Sequence, residues 1–217
     1  NNLVGVAEIG YNTKVMAVKT SRNDQRDPSS GAPYIVYGYE GLLYSAQNGA
    51  KVINCSWGGG GFSMLGQTII DEATALGAVV VAAAGNESLR DPYYPAAYNN
   101  VLAVASTTSN DTRSGFSNFG NYVDVAAPGS SIYNTWQNNT YLSLSGTSMA
   151  SPVTAGLVAL TMAQFPNLTP VQAAEKVRVS TDNIDNLNPS YVGLLGKGRI
   201  NALKSLQNTD FKSVRAT

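Results

Sequence analysis

No histidine occurs anywhere in the 217 residues. Histidine is the usual general base and the usual partner of a catalytic serine or cysteine. These residues therefore cannot hold a complete Ser-His-Asp or Cys-His arrangement, nor a His-ligated zinc site. The single cysteine, Cys55, excludes an internal disulfide and with it a disulfide-stapled fold. Charge is sparse and balanced: charged residues make up 13%, with 14 basic against 14 acidic. A chain with no basic excess is a poor match for nucleic acid or for an acidic membrane surface. No apolar run approaches the roughly 18 residues of a membrane-spanning helix. A Gly-rich phosphate loop followed by Lys is also lacking. In place of charge stand 21 Asn, 21 Ser and 16 Thr, a neutral polar composition that suits a secreted or cell-surface protein. The sequence opens on Asn1 with no signal-peptide pattern, so it is expected to be a processed or truncated piece.

The length and a hydrophobic content of 43% fit one domain with a sizeable core. Lys14 to Thr20 reads as a short strand, and the polar stretch from Ser21 to Gly31 has the composition of a loop. Tyr37 to Asn48 places Tyr39, Leu42, Leu43 and Ala46 at helical spacing, with Gly49 as a stop. Val52 to Ser56 reads as a strand broken by Trp57 and four glycines. Leu65 to Leu76 reads as an amphipathic helix with Leu65, Ile69, Ala73 and Leu76 on one face. Ala78 to Ala84 is apolar throughout, the pattern of a strand buried on both faces. Val101 to Ala105 and Tyr122 to Val125 are further short strands. Ser148 to Gln164 is apolar almost all round and reads as a central buried helix. Thr169 followed by Pro170 is an N-cap and first-turn proline that open a helix towards Ser180. A last helix is expected over 201–206. Strands alternating with helices imply an α/β fold, a mostly parallel sheet with helices on both faces.

Three segments are candidates for chemistry. In Ser145-Gly-Thr-Ser-Met-Ala-Ser-Pro152 a small-residue turn precedes the buried helix, with Ser148 at its N-terminus. Free N–H groups there favour developing negative charge, so the Ser148 hydroxyl could be an acyl-enzyme nucleophile. Equally, Thr147 or Ser148 could simply cap the helix. In Ala82-Ala-Ala-Gly-Asn-Glu87 a buried strand ends in Gly-Asn at the carboxyl edge of the sheet, where reactive groups gather. The Asn86 amide could donate to an oxyanion, or the pair could just form a turn. Asn54-Cys-Ser-Trp-Gly-Gly-Gly-Gly61 could add an extended peptide as a strand, or form a loop. Cys55 lies inside a strand pattern with no histidine to activate it, and reads as a small core residue.

Together these segments resemble the subtilisin-like serine proteases, the subtilases. Gly146-Thr-Ser-Met-Ala-Ser-Pro152 resembles the family's nucleophile motif, Ala83-Ala-Gly-Asn86 its oxyanion motif, and Val52-Ile-Asn-Cys-Ser-Trp-Gly-Gly59 its cleft strand. Tyr94-Pro-Ala-Ala-Tyr-Asn-Asn-Val101 and Asp124-Val-Ala-Ala-Pro-Gly129 also match family patterns, in the right order. The resemblance implies a three-layer α/β fold and a serine endopeptidase. It makes Ser148 the nucleophile, with Asn86 and the Ser148 N–H as oxyanion donors. Gly31, Ala32 and Pro33 on one side and Ser56, Trp57 and Gly58 on the other would be backbone edges holding a peptide between them. Ala83, Ala84 and Gly85 would wall the pocket for the residue before the scissile bond, with Trp57 narrowing or capping it. No cofactor is required for the chemistry. A structural calcium or monovalent cation would be held by Ala96, Tyr98, Val101 and Asp124.

The departures from the family pattern are informative. The family order along the chain is Asp, His, Ser, so both missing triad members belong upstream of Ser148. Asn1-Asn-Leu-Val-Gly-Val6 resembles the loop shortly after the catalytic histidine, so the chain is expected to begin just beyond the residues it lacks. Val153 stands where many relatives have a further histidine. The sedolisin relatives use Glu and Asp instead, with Asp in the oxyanion position, but Asn86 stands there and Glu8 is the only acid before Asp24. The expected partners are protein or peptide substrates, an N-terminal segment or prodomain, and a second copy through exposed core. A non-catalytic peptide-binding protein on the same fold is the alternative.

Overall fold

The computed structural model describes residues 5–6, 9–26, 28, 31 and 33–207. An antiparallel pair, β1 (Ser21–Arg26) and β2 (Pro33–Ile35), comes first. Then follow α1 (Gly38–Gln47), β3 (Val52–Cys55), α2 (Met64–Ala75), β4 (Val79–Ala83), β5 (Val101–Thr107) and β6 (Val125–Pro128). The hairpin β7 (Ile132–Trp136) and β8 (Thr140–Leu144) leads into α3 (Thr147–Gln164), α4 (Pro170–Val179) and α5 (Ala202–Gln207). The main sheet runs β3-β4-β5-β6, all parallel and in register from Val52↔Val79 to Thr107↔Pro128.

The side-chain period of two in a strand explains the layers. Val80, Ala82, Val101 and Ala103 point to one face, where they pack with Leu42 and Ala46 of α1 and Ile69, Ile70 and Ala73 of α2. Val79, Val81, Leu102, Val104 and Val125 point to the other, against Ala150, Leu157 and Val158 of α3 and Ala173 and Val177 of α4. Both faces are covered, so β4 is apolar along its length, β5 is apolar from Val101 to Ala105, and both are fully buried. The three-layer arrangement expected from the sequence is the one observed. Helix α3 is the central element, touching all four strands of the sheet. Its amino end meets the carboxyl edge of the sheet, where the candidate residues lie.

Several local expectations are corrected. Residues 14–20 form no strand, whereas the polar Ser21–Arg26 segment does, held by its ladder to β2. The fourth sheet strand is Val125–Pro128, later than the expected 122–125. On α2 the buried face is Gly66, Ile69, Ile70 and Ala73, with Leu65 and Leu76 exposed. Gly66 carries no side chain, and the Tyr98 ring packs closely over it, turning that side of the helix inward. At α4, Thr169 is the N-cap and forms a full capping box with Gln172, with Pro170 in the first turn, as expected.

Candidate active site

Ser148 is the second residue of α3 and partly exposed. Helix α3 has no side-chain cap: its N-cap is Gly146. The capping alternative for Thr147 and Ser148 is thereby removed. Pro152 sits one helical turn beyond Ser148. A proline has no N–H, so the Ser148 carbonyl receives no i to i+4 bond from it. The Ser56 hydroxyl supplies that bond at 2.9 Å, while the Ser148 hydroxyl donates to the Ser56 carbonyl at 3.2 Å. Ser151 extends the tie by donating to Asn54 Oδ1 at 2.7 Å, and Asn54 Nδ2 donates to Ser56 Oγ at 2.9 Å. The end of β3 and the start of α3 are thus bound together around the candidate nucleophile.

Asn86 lies just past the end of β4, exposed. Its side-chain oxygen accepts two bonds from Thr147, one from the N–H at 2.8 Å and one from the hydroxyl at 2.9 Å. Thr147 Oγ1 also accepts the N–H of Gly85 at 3.2 Å. This fixes the Asn86 amide by its oxygen end. No hydrogen bond engages Asn86 Nδ2 or the Ser148 N–H among the described residues. Two donors are thus left available, one on Asn86 and one on Ser148, groups of the kind that can accept an oxyanion.

The resemblance drawn from the sequence is borne out by comparison. Residues 1–197 match the peptidase S8 model, described as the subtilase family. The chain belongs to the subtilase family. Thermitase of Thermoactinomyces vulgaris is 41% identical over 207 residues, covering 95% of this chain and 70% of thermitase. Subtilisin DY of Bacillus licheniformis is 38% identical over 211 residues, covering 95% of this chain and 73% of that protein. Among solved structures, a cold adapted subtilisin-like serine proteinase is 35% identical with a TM-score of 0.69, covering 77% of this chain and 62% of that one. A protease from Pseudoalteromonas arctica is 31% identical with a TM-score of 0.71, covering 77% and 57%. The chain therefore spans less than two thirds of these two solved relatives.

The other candidate residues of this subtilase fall as follows. Ala83, Ala84 and Gly85 are buried at the carboxyl end of β4, and the Ala84 carbonyl accepts the Tyr122 hydroxyl at 2.9 Å. The Ser56 carbonyl is taken by Ser148 and the Gly58 carbonyl by the Tyr93 hydroxyl at 2.9 Å. Trp57 lays its indole on Gly38 and meets Tyr39 edge-on at 5.3 Å. Gly31 is exposed, and its carbonyl accepts Arg26 at 2.8 Å. Pro33 opens β2, and Ala32 lies outside the described residues, as do Glu8 and Asn1 to Val4. Cys55 is buried, and burial pushes its thiol up to about 12, so it carries no thiolate at neutral pH.

For the cation site, Ala96, Tyr98 and Val101 are buried, and no hydrogen bond reaches the carbonyls of Ala96 and Tyr98 among the described residues. The Asp124 carboxylate accepts the Ala103 N–H at 3.0 Å.

Thr147, which holds the Asn86 side-chain oxygen, and Asn118, whose Oδ1 accepts the N–H groups of Glu87 and Leu89 at 2.9 and 3.0 Å, are residues whose contacts the sequence reading overlooks. For Thr147 the signal was present, a hydroxyl beside the nucleophile, but capping explained it equally well. Asn118 had no local signal at all.

Proposed function

We propose that this chain carries the nucleophile, oxyanion hole and substrate cleft of a subtilisin-like serine endopeptidase. The histidine and aspartate of its triad come from outside these 217 residues. The observation that supports this reading is the pair of unengaged donors, Asn86 Nδ2 and the Ser148 N–H, flanking a serine whose hydroxyl is held at the start of α3. In the reaction the Ser148 oxygen attacks the scissile carbonyl, an external histidine takes its proton, and the two donors receive the charge that develops on the carbonyl oxygen. Within the chain, the hydroxyl proton rests on the neutral Ser56 carbonyl, which is not a base. An unassisted serine hydroxyl is a weak nucleophile at neutral pH, so these residues alone are inactive.

The substrate in this reading is an extended peptide between Gly31–Pro33 and Ser56–Gly58, with Ala83–Gly85 walling the pocket beside the scissile bond. A calcium or monovalent cation at Ala96, Tyr98, Val101 and Asp124 would tie the loop before β5 to the residue before β6. The neutral polar composition agrees with an extracellular setting. The exposed Tyr11, Val15 and Met16 offer apolar surface to the N-terminal segment that brings the histidine, to a prodomain, or to a second copy.

The test joins this chain to the Asp- and His-bearing N-terminal segment of thermitase and measures hydrolysis of a peptide anilide. The chain alone is expected to be silent, the joined protein active, and Ser148→Ala silent in both. Protease-like rates from 1–217 alone, lost in Ser148→Ala, would place a base within these residues and overturn the reading. A joined protein that folds and binds extended peptides but never cleaves them would make the chain a peptide-binding member of the family.

A further inference from the structure

The loop that carries Asn86 is held by one buried side chain from another part of the fold. Asn118 is 2% exposed. Its Oδ1 accepts the N–H of Glu87 at 2.9 Å and that of Leu89 at 3.0 Å. Its Nδ2 donates to the Glu87 carboxylate at 2.9 Å, and the same carboxylate oxygen accepts the Asn86 N–H at 2.8 Å. The Asn118 N–H donates to the Gly85 carbonyl at 3.0 Å. The amide orientation follows from these partners, because the reverse would set an NH2 group against two N–H donors and an oxygen against a carboxylate. Every residue of 85–87, and Leu89, is therefore tied to Asn118 directly or through Glu87.

The anchor is itself well fixed. Ser117 accepts the Ser106 N–H of β5 at 2.9 Å and donates to the Asn118 carbonyl at 2.9 Å. The Arg113 guanidinium donates to the Ser117 carbonyl and lies 4.3 Å from the Tyr191 ring centroid and 5.2 Å from that of Phe119. Neighbouring backbone bonds, Ser88 N–H to the Phe116 carbonyl and Phe119 N–H to the Leu89 carbonyl, bind the two loops side by side. Thr147 grips the side-chain oxygen of Asn86 and the N–H of Gly85, but no bond from it reaches the backbone of Asn86, Glu87 or Leu89 among the described residues. That backbone is held from the 116–119 loop, directly or through Glu87.

We propose that Asn118 is the positioning residue of the oxyanion loop: it sets the Asn86 backbone, through the Glu87 carboxylate, so that the Asn86 amide meets the developing charge. This deepens the protease reading and rests on it for its catalytic consequence. A donor displaced from its oxyanion loses most of its value, since a misplacement of about 1 Å can cost about 10²-fold in rate.

Two measurements test it. The first is amide hydrogen exchange by NMR on 1–217 itself, which needs no activity. Asn118→Ala should speed exchange at Asn86, Glu87 and Leu89 about tenfold or more, while β4 and β5 stay protected. Asn118→Asp keeps the acceptor but removes the donor and sets a carboxylate against Glu87. It should spare Glu87 and Leu89 and expose Asn86, and it carries the test if the alanine variant does not fold. The second is kinetics in the joined protein, scaled to titrated Ser148. There Asn118→Ala should lower kcat about tenfold or more with KM within about threefold. Unchanged exchange at the three amides, protection lost equally across β4 and β5, or an unchanged kcat per titrated serine would each overturn the proposal. A joined protein with no activity at all would sink the protease reading, and the exchange pattern alone would then decide the role of Asn118.

Discussion

The corner where β4, the 116–119 loop and α3 meet differs sharply from the amino-terminal apron of residues 9–37. In the corner, hydrogen bonds run between residues 30 to nearly 100 positions apart, as in Glu87–Asn118, Asn86–Thr147 and Ser56–Ser148. They leave two donors unengaged among the described residues, Asn86 Nδ2 and the Ser148 N–H. In the apron many of the contacts are short in sequence, although Ile9 and Gly10 lie close to Gly156 of α3. Arg22 pairs with Asp24, Arg26 with Gly31, and the β1–β2 ladder is irregular, pairing Ser21 with Ile35 and Arg26 with Pro33. Tyr11 is 80% exposed and Val15 82%. The lesson is that the two regions differ in cross-linking between distant segments. Secondary structure alone does not confer it, since β1 is a strand and still lies in the apron. Binding edges can sit on either kind of ground, but an oxyanion donor needs the first kind.

The largest effect expected in the corner is on rate. In the joined protein, Asn86→Ala should lower kcat by about 10²–10³ with little change in KM. That is the general magnitude for one oxyanion donor, and its type case is a subtilisin, a member of this same family. An equal effect from a substitution at an exposed apron residue such as Tyr34 would show that the apron also touches the reacting atoms, and the comparison would fail.

Two glycines sharpen the contrast in stability. Gly85 and Gly31 both have positive φ, +106° and +68°. A methyl group on Gly85 would lie 2.2 Å from Asn118 Nδ2 and 2.7 Å from the Glu87 carboxylate, whereas on Gly31 it would meet nothing within 4 Å. Gly31→Ala should therefore cost only the backbone term, about 1 kcal/mol. Gly85→Ala adds overlap with a buried network and should cost about 3 kcal/mol or more. Urea unfolding with an unchanged m-value reads both. Equal losses would mean that the corner yields as easily as the apron.

This contrast also governs what could be read from the sequence. β4 announces itself because both faces are buried, and α4 because Thr169, Pro170 and Gln172 are local signals. Ser148 and Asn86 were legible because a small-residue turn before a helix and a Gly-Asn pair after an apolar run are also local. Asn118 was not, because its partners lie 29 to 33 residues away and the chain around it reads as ordinary polar loop. β1 was misread because Ser21–Arg26 is polar throughout; its partner strand makes it a strand, not its pattern. Residues 14–20 carry the apolar run of a short strand, yet such a run forms one only where a neighbouring edge pairs with it. The β7–β8 hairpin puts Ile132, Trp136, Leu142 and Leu144 on one face, but most of its residues stay exposed.

The smallest effect is expected at the ion pair of the apron. Arg22 donates to both oxygens of Asp24, at 2.8 and 2.5 Å, yet the two side chains remain 43% and 63% exposed. The bond with Arg22 holds the Asp24 carboxyl below its ordinary value of 3.8. A lowered folded-state value means that any stabilisation is present above the ordinary carboxylate range and fades as pH falls through it. Solvent screening and the entropy of two long side chains cancel most of what such a pair contributes. Asp24→Asn should therefore move the melting temperature by less than about 1 °C at pH 7, with the difference shrinking on acidification. A drop of several degrees would show that this pair holds the β1–β2 ladder in place. The apron would then be cross-linked after all, by charge where the corner uses buried amides.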